Sequence, residues 1–292
     1  MAEEETILTL DELVAQKEYW GRFIAVGADS TGEKNVVVYF VTGRSPPSRA
    51  RILLHDEETG TIYTEPTNKE AIEKGSPSLL IYPAIMETPN GGIAVSNGFQ
   101  TQLVYSALRN YERMLGADGI LERALSKSLW IFDKKKYGLI DVTSFEPDAP
   151  NNTPRISGAI ERDTEGSHVP YSFALAISRK GEDGEADKEY WGFGNTERLE
   201  PGKAFAVATY TGTNVPTGEV LPSFEGEMIE TKITQSTPKD IAEAVYGALG
   251  PKLGEGIISP GDDFRVGVAV VCQDIQTGKT EHYIINRHER GE

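Results

Sequence analysis

The chain of 292 residues carries 45 Asp and Glu against 29 Lys and Arg, a formal net charge of -16, with 38% hydrophobic and 25% charged residues. That balance belongs to an ordered globular protein, and it disfavours nonspecific nucleic-acid binding, which depends on neutralising phosphates with Lys and Arg. No apolar run has membrane-spanning length, the acidic start Met1-Ala2-Glu3-Glu4-Glu5 lacks a secretory-signal pattern, and the single cysteine, Cys272, forms no internal disulfide, so a cytoplasmic protein is expected.

Thr9-Leu10-Asp11-Glu12 is a capping-box pattern and predicts a short helix over about 9–19. Strands follow over 22–26 and 35–42, joined as a hairpin through Ser30-Thr31-Gly32-Glu33. Further strands are predicted over 50–55, 61–64, 79–86 and 92–96, with Gly, Pro and Asn in the gaps. Phe99, Leu103, Val104, Ala107, Leu108, Tyr111, Met114 and Leu115 then recur at helical spacing, which marks one buried face over 99–115. A second helix is expected over 119–129.

A polar loop at 146–154 separates this half from strands over 156–162, 171–178 and 204–210. Segments 180–188 and 212–227 are rich in Gly, Glu and Asp and are expected as exposed loops. Thr237 caps another helix with Pro238 in its first turn, ending near Gly250-Pro251. Strands over 264–273, with Cys272 as a small core residue, and 281–286 close the chain. The order lacks strand–helix alternation, so a layered α+β fold is expected rather than a doubly wound sheet. No repeat or apolar-poor linker divides the chain, and one domain over 1–292 is expected.

Several familiar signatures are missing. There is no G-x-x-x-x-G-K-[ST] phosphate loop, and Gly192-Phe193-Gly194-Asn195 is too short for a dinucleotide fingerprint. His55, His168, His282 and His288 are not at metal-ligand spacing, and His168 reads as a solvated loop residue. No metal and no cofactor is expected.

Two arginine-bearing segments stand out against the acidic background. Gly43-Arg44-Ser45-Pro46-Pro47-Ser48-Arg49-Ala50-Arg51 packs three arginines among Ser and Pro. Asn151-Asn152-Thr153-Pro154-Arg155-Ile156 carries a fourth. The guanidinium fork matches phosphate in bidentate fashion, and hydroxyls and stiffening prolines suit a phosphate-holding loop. The alternative for Arg44 and Arg49 is pairing with surface carboxylates, and for Asn152-Thr153-Pro154 a plain turn. Arg22 reads as a strand-end salt bridge and is left outside the site.

Taken in order, these segments resemble the archaeal-type IMP cyclohydrolases. The resemblance runs over about residues 20–215 through Gly21-Arg22-Phe23-Ile24-Ala25-Val26-Gly27, Tyr39, the Gly43–Arg49 loop, Tyr82-Pro83-Ala84, Ser96-Asn97-Gly98-Phe99-Gln100-Thr101, Ser128-Leu129 with Asp133, Asn152 to Ile156, and Thr209-Tyr210. It implies a four-layer αββα sandwich like that of N-terminal-nucleophile (Ntn) hydrolases. Gly60-Thr61 and Gly166-Ser167 are the conceivable self-cleavage points, and an uncleaved chain is expected. It also implies ring closure of a 5-formamidoimidazole-4-carboxamide ribonucleotide (FAICAR) to IMP and water, with no cofactor. A purine nucleotide substrate, and a homo-oligomer, a tetramer by analogy, come with it.

On that resemblance Arg44, Ser45 and Arg49 bind the 5′-phosphate or a developing oxyanion. Asn152, Thr153 and Arg155 line the pocket, and Asn97 and Gly98 add donors at a helix start. Tyr39 and Tyr210 act as general acid or by stacking, although an aromatic in an apolar strand is usually core. Glu146 or Asp148 orients the carboxamide N–H. Two other readings stay open: an amidohydrolase on the same scaffold, and a purine nucleotide-binding protein without turnover.

Overall fold

The computed structural model describes residues 7–110, 115–133, 138–162, 171–194, 197–216 and 218–291. Tyr111, Met114, Gly166-Ser167 and His168 lie outside these residues. Thr9 caps α1 (Leu10–Ala15) through the reciprocal Thr9–Glu12 bonds of the capping box, and the helix stops short of 19. β1 (Arg22–Ala28) and β2 (Lys34–Thr42) form the expected hairpin. α2 (Pro46–Arg49) is a single turn capped by Ser45, and β3 (Arg51–Asp56) and β4 (Thr61–Pro66) follow.

After α3 (Lys69–Lys74), α4 (Pro77–Leu80) takes up the start of the strand expected over 79–86, which begins only at β5 (Pro83–Glu87). Pro77 is the physical reason, since a proline in the first turn presets helical φ. β6 (Ile93–Ser96), α5 (Gln100–Asn110) and α6 (Gly116–Leu125) come next. β7 (Trp130–Asp133) and β8 (Gly138–Asp141) form a hairpin with no counterpart among the expected elements. β9 (Arg155–Arg162) and β10 (Tyr171–Lys180) lead to β11 (Ala186–Phe193), which corrects the loop expected over 180–188. Only the tight turn at 181–185 is loop, with Gly184 at φ +86°, and Lys180↔Ala186 starts the pairing. The chain ends through β12 (Lys203–Ala208), β13 (Ile229–Lys232), α7 (Pro238–Ala248), β14 (Arg265–Asp274), β15 (Thr280–Asn286) and α8 (Arg287–Arg290).

Apart from the separate β7–β8 pair, the strands assemble into two antiparallel sheets, β13-β12-β1-β2-β14-β15 and β11-β10-β9-β6-β5-β4-β3, an α+β arrangement. Side-chain size alternates along the central strands with period two. Ile93, Val95, Ile156, Ile160, Phe173, Leu175 and Ile177 join a core shared with the other sheet. Ala94, Ala159, Ala174 and Ala176 point the other way and receive Val104, Leu108, Ile120 and Leu121 of α5 and α6. Small residues on that face let the helices sit close to the sheet. On the six-stranded sheet the covering helix is α7, which places Ile241, Ala242, Val245 and Tyr246 in the shared core and packs on α1. At Gly158 the sheets approach closely, since a Cβ there would lie 2.9 Å from Val95 and 3.3 Å from Ile24 of the facing sheet.

The β7–β8 hairpin is the exception to this burial. Trp130, Phe132 and Leu139 are 58%, 59% and 64% exposed. No helix among the described residues is long and apolar enough to cross a membrane.

Candidate active site

β1 and β9 both begin with an arginine near one end of the sandwich, and the chain segments around that end enclose a cleft of about 490 Å³. Four cationic side chains reach its wall: Arg22 from β1, Arg44 and Arg51 from the two sides of α2, and Lys74 from the end of α3. Two carboxylates, Glu146 and Asp148, lie on the loop between β8 and β9 and share the same wall. Ser45, Ser48, Thr153, Tyr19 and Tyr210 complete the polar and aromatic lining.

The floor is an ion pair. Arg22 donates through Nη2 to Glu146 Oε1, and both side chains are buried. Burial pushes the Glu146 carboxyl above the usual carboxylate value, while Arg22 and then Arg155 pull it back. Burial lowers the Arg22 guanidinium, but the Glu146 carboxylate together with the nearby Tyr82, Tyr210 and Tyr39 hydroxyls outweighs it, and the net is well above the usual value.

One wall is a hydrogen-bonded relay. Thr153 Oγ1 lies 2.5 Å from Asp148 Oδ2, and the Thr153 backbone N–H donates to Asp148 Oδ1 at 2.7 Å. A hydroxyl has one proton, which Thr153 gives to the carboxylate, so its oxygen accepts from the Tyr210 hydroxyl at 2.6 Å. The Tyr210 oxygen keeps its lone pairs for the cleft. Burial raises its pKa, so the phenol stays protonated. Tyr19 stacks on Tyr210 at 5.9 Å, and the Arg44 guanidinium lies over the Tyr19 ring at 5.3 Å. Asn214 Oδ1 and the Val215 carbonyl hold Arg44 from behind, at 3.2 and 3.1 Å. Ser45 and Ser48 cap the α2 turn reciprocally, which fixes the loop that presents Arg44.

Of the residues singled out in the sequence, Arg44, Ser45, Glu146, Asp148, Thr153 and Tyr210 meet in this cleft. The others stand elsewhere. Arg155 is buried behind the floor, where its Nη1 donates to Gln100 Oε1 at 3.1 Å and its charge acts on Glu146. Tyr39 is fully buried in β2, sharing a 2.8 Å hydroxyl contact with Tyr82, and burial raises its pKa well above the usual value.

Arg49 turns back on its own loop, donating to the Gly43 carbonyl at 2.9 Å and lying over Phe264. Asn97 is a strap, not a donor to the cleft: its amide donates to Pro154 O and accepts from the Ile156 N–H, tying β6 to β9. Gly98 packs under Arg155, whose Nη1 would lie 2.3 Å from a Cβ there. Asn152 holds φ +47° and bonds to Pro150 O, while its neighbour Asn151 faces the cleft.

Tyr19, Arg22, Arg51 and Lys74 enter the cleft without having been singled out for it. Arg51 had a signal, as the third guanidinium of its cluster. Arg22 is the salt bridge its position suggests, but with a partner 124 residues away. Tyr19 and Lys74 carry no local signal. Among the described residues, no group of three or more His, Cys, Asp or Glu is placed to hold a metal ion.

No curated protein matches the chain. The family model described as IMP cyclohydrolase-like protein matches residues 19–252, a span that contains every cleft residue named above. The chain therefore belongs to the IMP cyclohydrolase-like protein family.

Proposed function

We propose that the cleft closes the second ring of the purine, converting FAICAR to IMP and water. The observation that carries this reading is the gathering of Arg22, Arg44, Arg51 and Lys74 with Glu146 and Asp148 around one hollow of nucleotide size, in a chain of net charge -16. Cations at the rim suit a 5′-phosphate, and carboxylates on the floor suit amide N–H groups.

The reaction forms one C–N bond and expels one water. The carboxamide nitrogen attacks the formyl carbon, and the formyl oxygen takes the developing charge. That oxygen then leaves as water, with one proton from the carboxamide nitrogen and one from the formamido nitrogen, as the C=N bond forms. Both reacting groups sit on one imidazole, so holding the reactive rotamer supplies much of the effect. Arg44, with Ser45 and Lys74, holds the phosphate. Tyr19 and Tyr210 flank the base. Glu146, kept in place by Arg22, orients the carboxamide N–H, and Arg22 offers positive charge to the oxyanion. The chain Tyr210 → Thr153 → Asp148 carries the carboxamide proton out of the cleft and returns it to the departing oxygen.

The same reading takes the chain as one domain with the four-layer αββα plan of Ntn-like hydrolases. Its support is the core shared by both sheets, with α5 and α6 outside one and α7 outside the other. It also takes the protein as cytoplasmic, which suits the lone buried cysteine.

The test is to incubate purified protein with FAICAR and follow IMP by absorbance. Ring closure above the uncatalysed rate, lost in Thr153→Val, supports the proposal. Tight IMP binding without turnover, or hydrolysis of the formamide instead of closure, overturns it.

A further inference from the structure

The cations of the cleft are not held alike. Arg22 is neutralised by Glu146, whereas Arg44 forms no ion pair among the described residues. Both hydrogens of Arg44 Nη1 go to uncharged oxygens, Asn214 Oδ1 at 3.2 Å and the Val215 carbonyl at 3.1 Å. A guanidinium carries five N–H groups. The Nε–H and the two Nη2 hydrogens of Arg44 are therefore left without a protein acceptor among the described residues. Two adjacent nitrogens of this kind are the edge that meets a phosphate in bidentate fashion.

Asn214 is 3% exposed, and its amide has one workable orientation. Nδ2 donates to Glu18 Oε1 at 2.8 Å and to Ser259 Oγ at 3.1 Å. A carboxylate only accepts and a guanidinium only donates. Turning the amide over would set oxygen against oxygen at Glu18 and N–H against N–H at Arg44. Glu18 is itself fixed on several sides. Its Oε1 also accepts from the Ser259 N–H at 2.8 Å and its Oε2 from the Ile258 N–H at 3.0 Å. Its backbone N–H donates to the Gly212 carbonyl at 3.0 Å, which ties it to the segment that carries Asn214.

The negative charge of this network thus stands one side chain away from Arg44, with a neutral amide between them. Aspartate would fill the space of Asn214 equally well. It would also pair with Arg44, compete with any anion in the cleft, and face Glu18 with like charge.

We propose that Asn214 is a positioning residue for the anion subsite of the cleft. Oriented by Glu18, it grips Arg44 with a neutral acceptor and so leaves the guanidinium charge, with its Nε–Nη2 edge, to a phosphate monoester. The inference rests on the reading of the cleft as a purine nucleotide site, and it adds a reason for that site to select a nucleotide over a nucleoside.

The test moves the carboxylate by one side chain. Glu18→Gln combined with Asn214→Asp keeps size and net charge and restores a donor between the two positions, but sets the negative charge against Arg44. Calorimetric titration with IMP and with inosine, the same molecule without its phosphate, reads the subsite and needs no turnover. The wild type is expected to prefer IMP. In the swapped protein IMP binding is expected to weaken roughly 10-fold or more, with inosine binding within about twofold of wild type. Should the swap fail to fold, Asn214→Ser decides, because it withdraws the amide oxygen and adds no charge; IMP is then expected to weaken about threefold with inosine unchanged. An unchanged ratio of IMP to inosine affinity overturns the proposal and leaves the nucleotide reading standing. Equal weakening of both ligands also overturns it, since that is the mark of a merely structural residue. A wild type that binds the two ligands alike overturns the proposal together with the phosphate assignment beneath it.

Discussion

Arg22 and Arg155 hold matching places in the two sheets. Each is the first residue of a strand, and each is buried. Their surroundings differ. Arg22 faces a carboxylate, and Glu146 keeps its charge well supported in spite of burial. Arg155 faces the neutral amide of Gln100, and burial pulls its pKa down. A buried arginine with a carboxylate partner is a structural pair that loses stability when one member goes. A buried arginine hydrogen-bonded only to an amide is not held in place by a direct ion pair, so its presence points to a task.

Four measurements break or sharpen that contrast. The largest effect is expected for Glu146→Leu, which removes a cleft carboxylate and strands Arg22. Cyclisation should fall on the order of 10²–10⁴-fold, and urea unfolding should show a loss of about 3–5 kcal/mol. The double variant Arg22→Met with Glu146→Leu should regain most of that stability and none of the activity; equal instability of single and double variants would remove the ion pair from the account.

Arg155→Met comes next. Its kcat/KM should drop roughly 10²-fold, with stability within about 1 kcal/mol of wild type. A loss as large as that of Glu146→Leu would erase the difference between the two arginines. Arg44→Ala is a rim change: KM should rise on the order of 10-fold or more, while the melting temperature moves by about 2 °C or less.

The smallest effect is in pH dependence. Burial raises the Glu146 carboxyl, so the acid limb of kcat/KM should lie above the usual carboxylate range. Arg155 pulls that carboxyl down, so Arg155→Met should move the limb to still higher pH. A limb that stays in place would show that Arg155 does not act on Glu146.

Much of this arrangement could be read from the sequence, and the failures have physical causes. The capping box at Thr9, the Thr237–Pro238 helix start and the apolar strands were legible because local chemistry dictates them. β7, β8 and β13 were not, because four-residue strands give too short a pattern to separate from loop. β11 was hidden by its polar edge composition, Asp187-Lys188-Glu189, which an outer strand tolerates.

Of the cleft residues, Arg44, Ser45, Thr153 and Tyr210 lie in the ordered motifs that the sequence displays. Asn97, whose side chain reads as a possible ligand donor, proved to spend every polar atom on Pro154, Ile156 and Gln100. Nothing in a linear string distinguishes an asparagine that faces a cleft from one that ties two strands. Lys74 reaches the cleft only through the path of β3 and β4, which no local pattern encodes.

The chain has three tryptophans, and two of them mark opposite extremes of environment. Trp20 is sealed at 2% exposure with its indole N–H on the Val14 carbonyl, whereas Trp130 stands 58% open on the β7–β8 hairpin. A dissolved quencher such as iodide will meet Trp130 first, so the long-wavelength edge of the emission is a built-in optical probe of that hairpin. Any molecule that comes to rest there will shield the indole and brighten the quenched signal, which allows an encounter to be timed in a cuvette with no label attached.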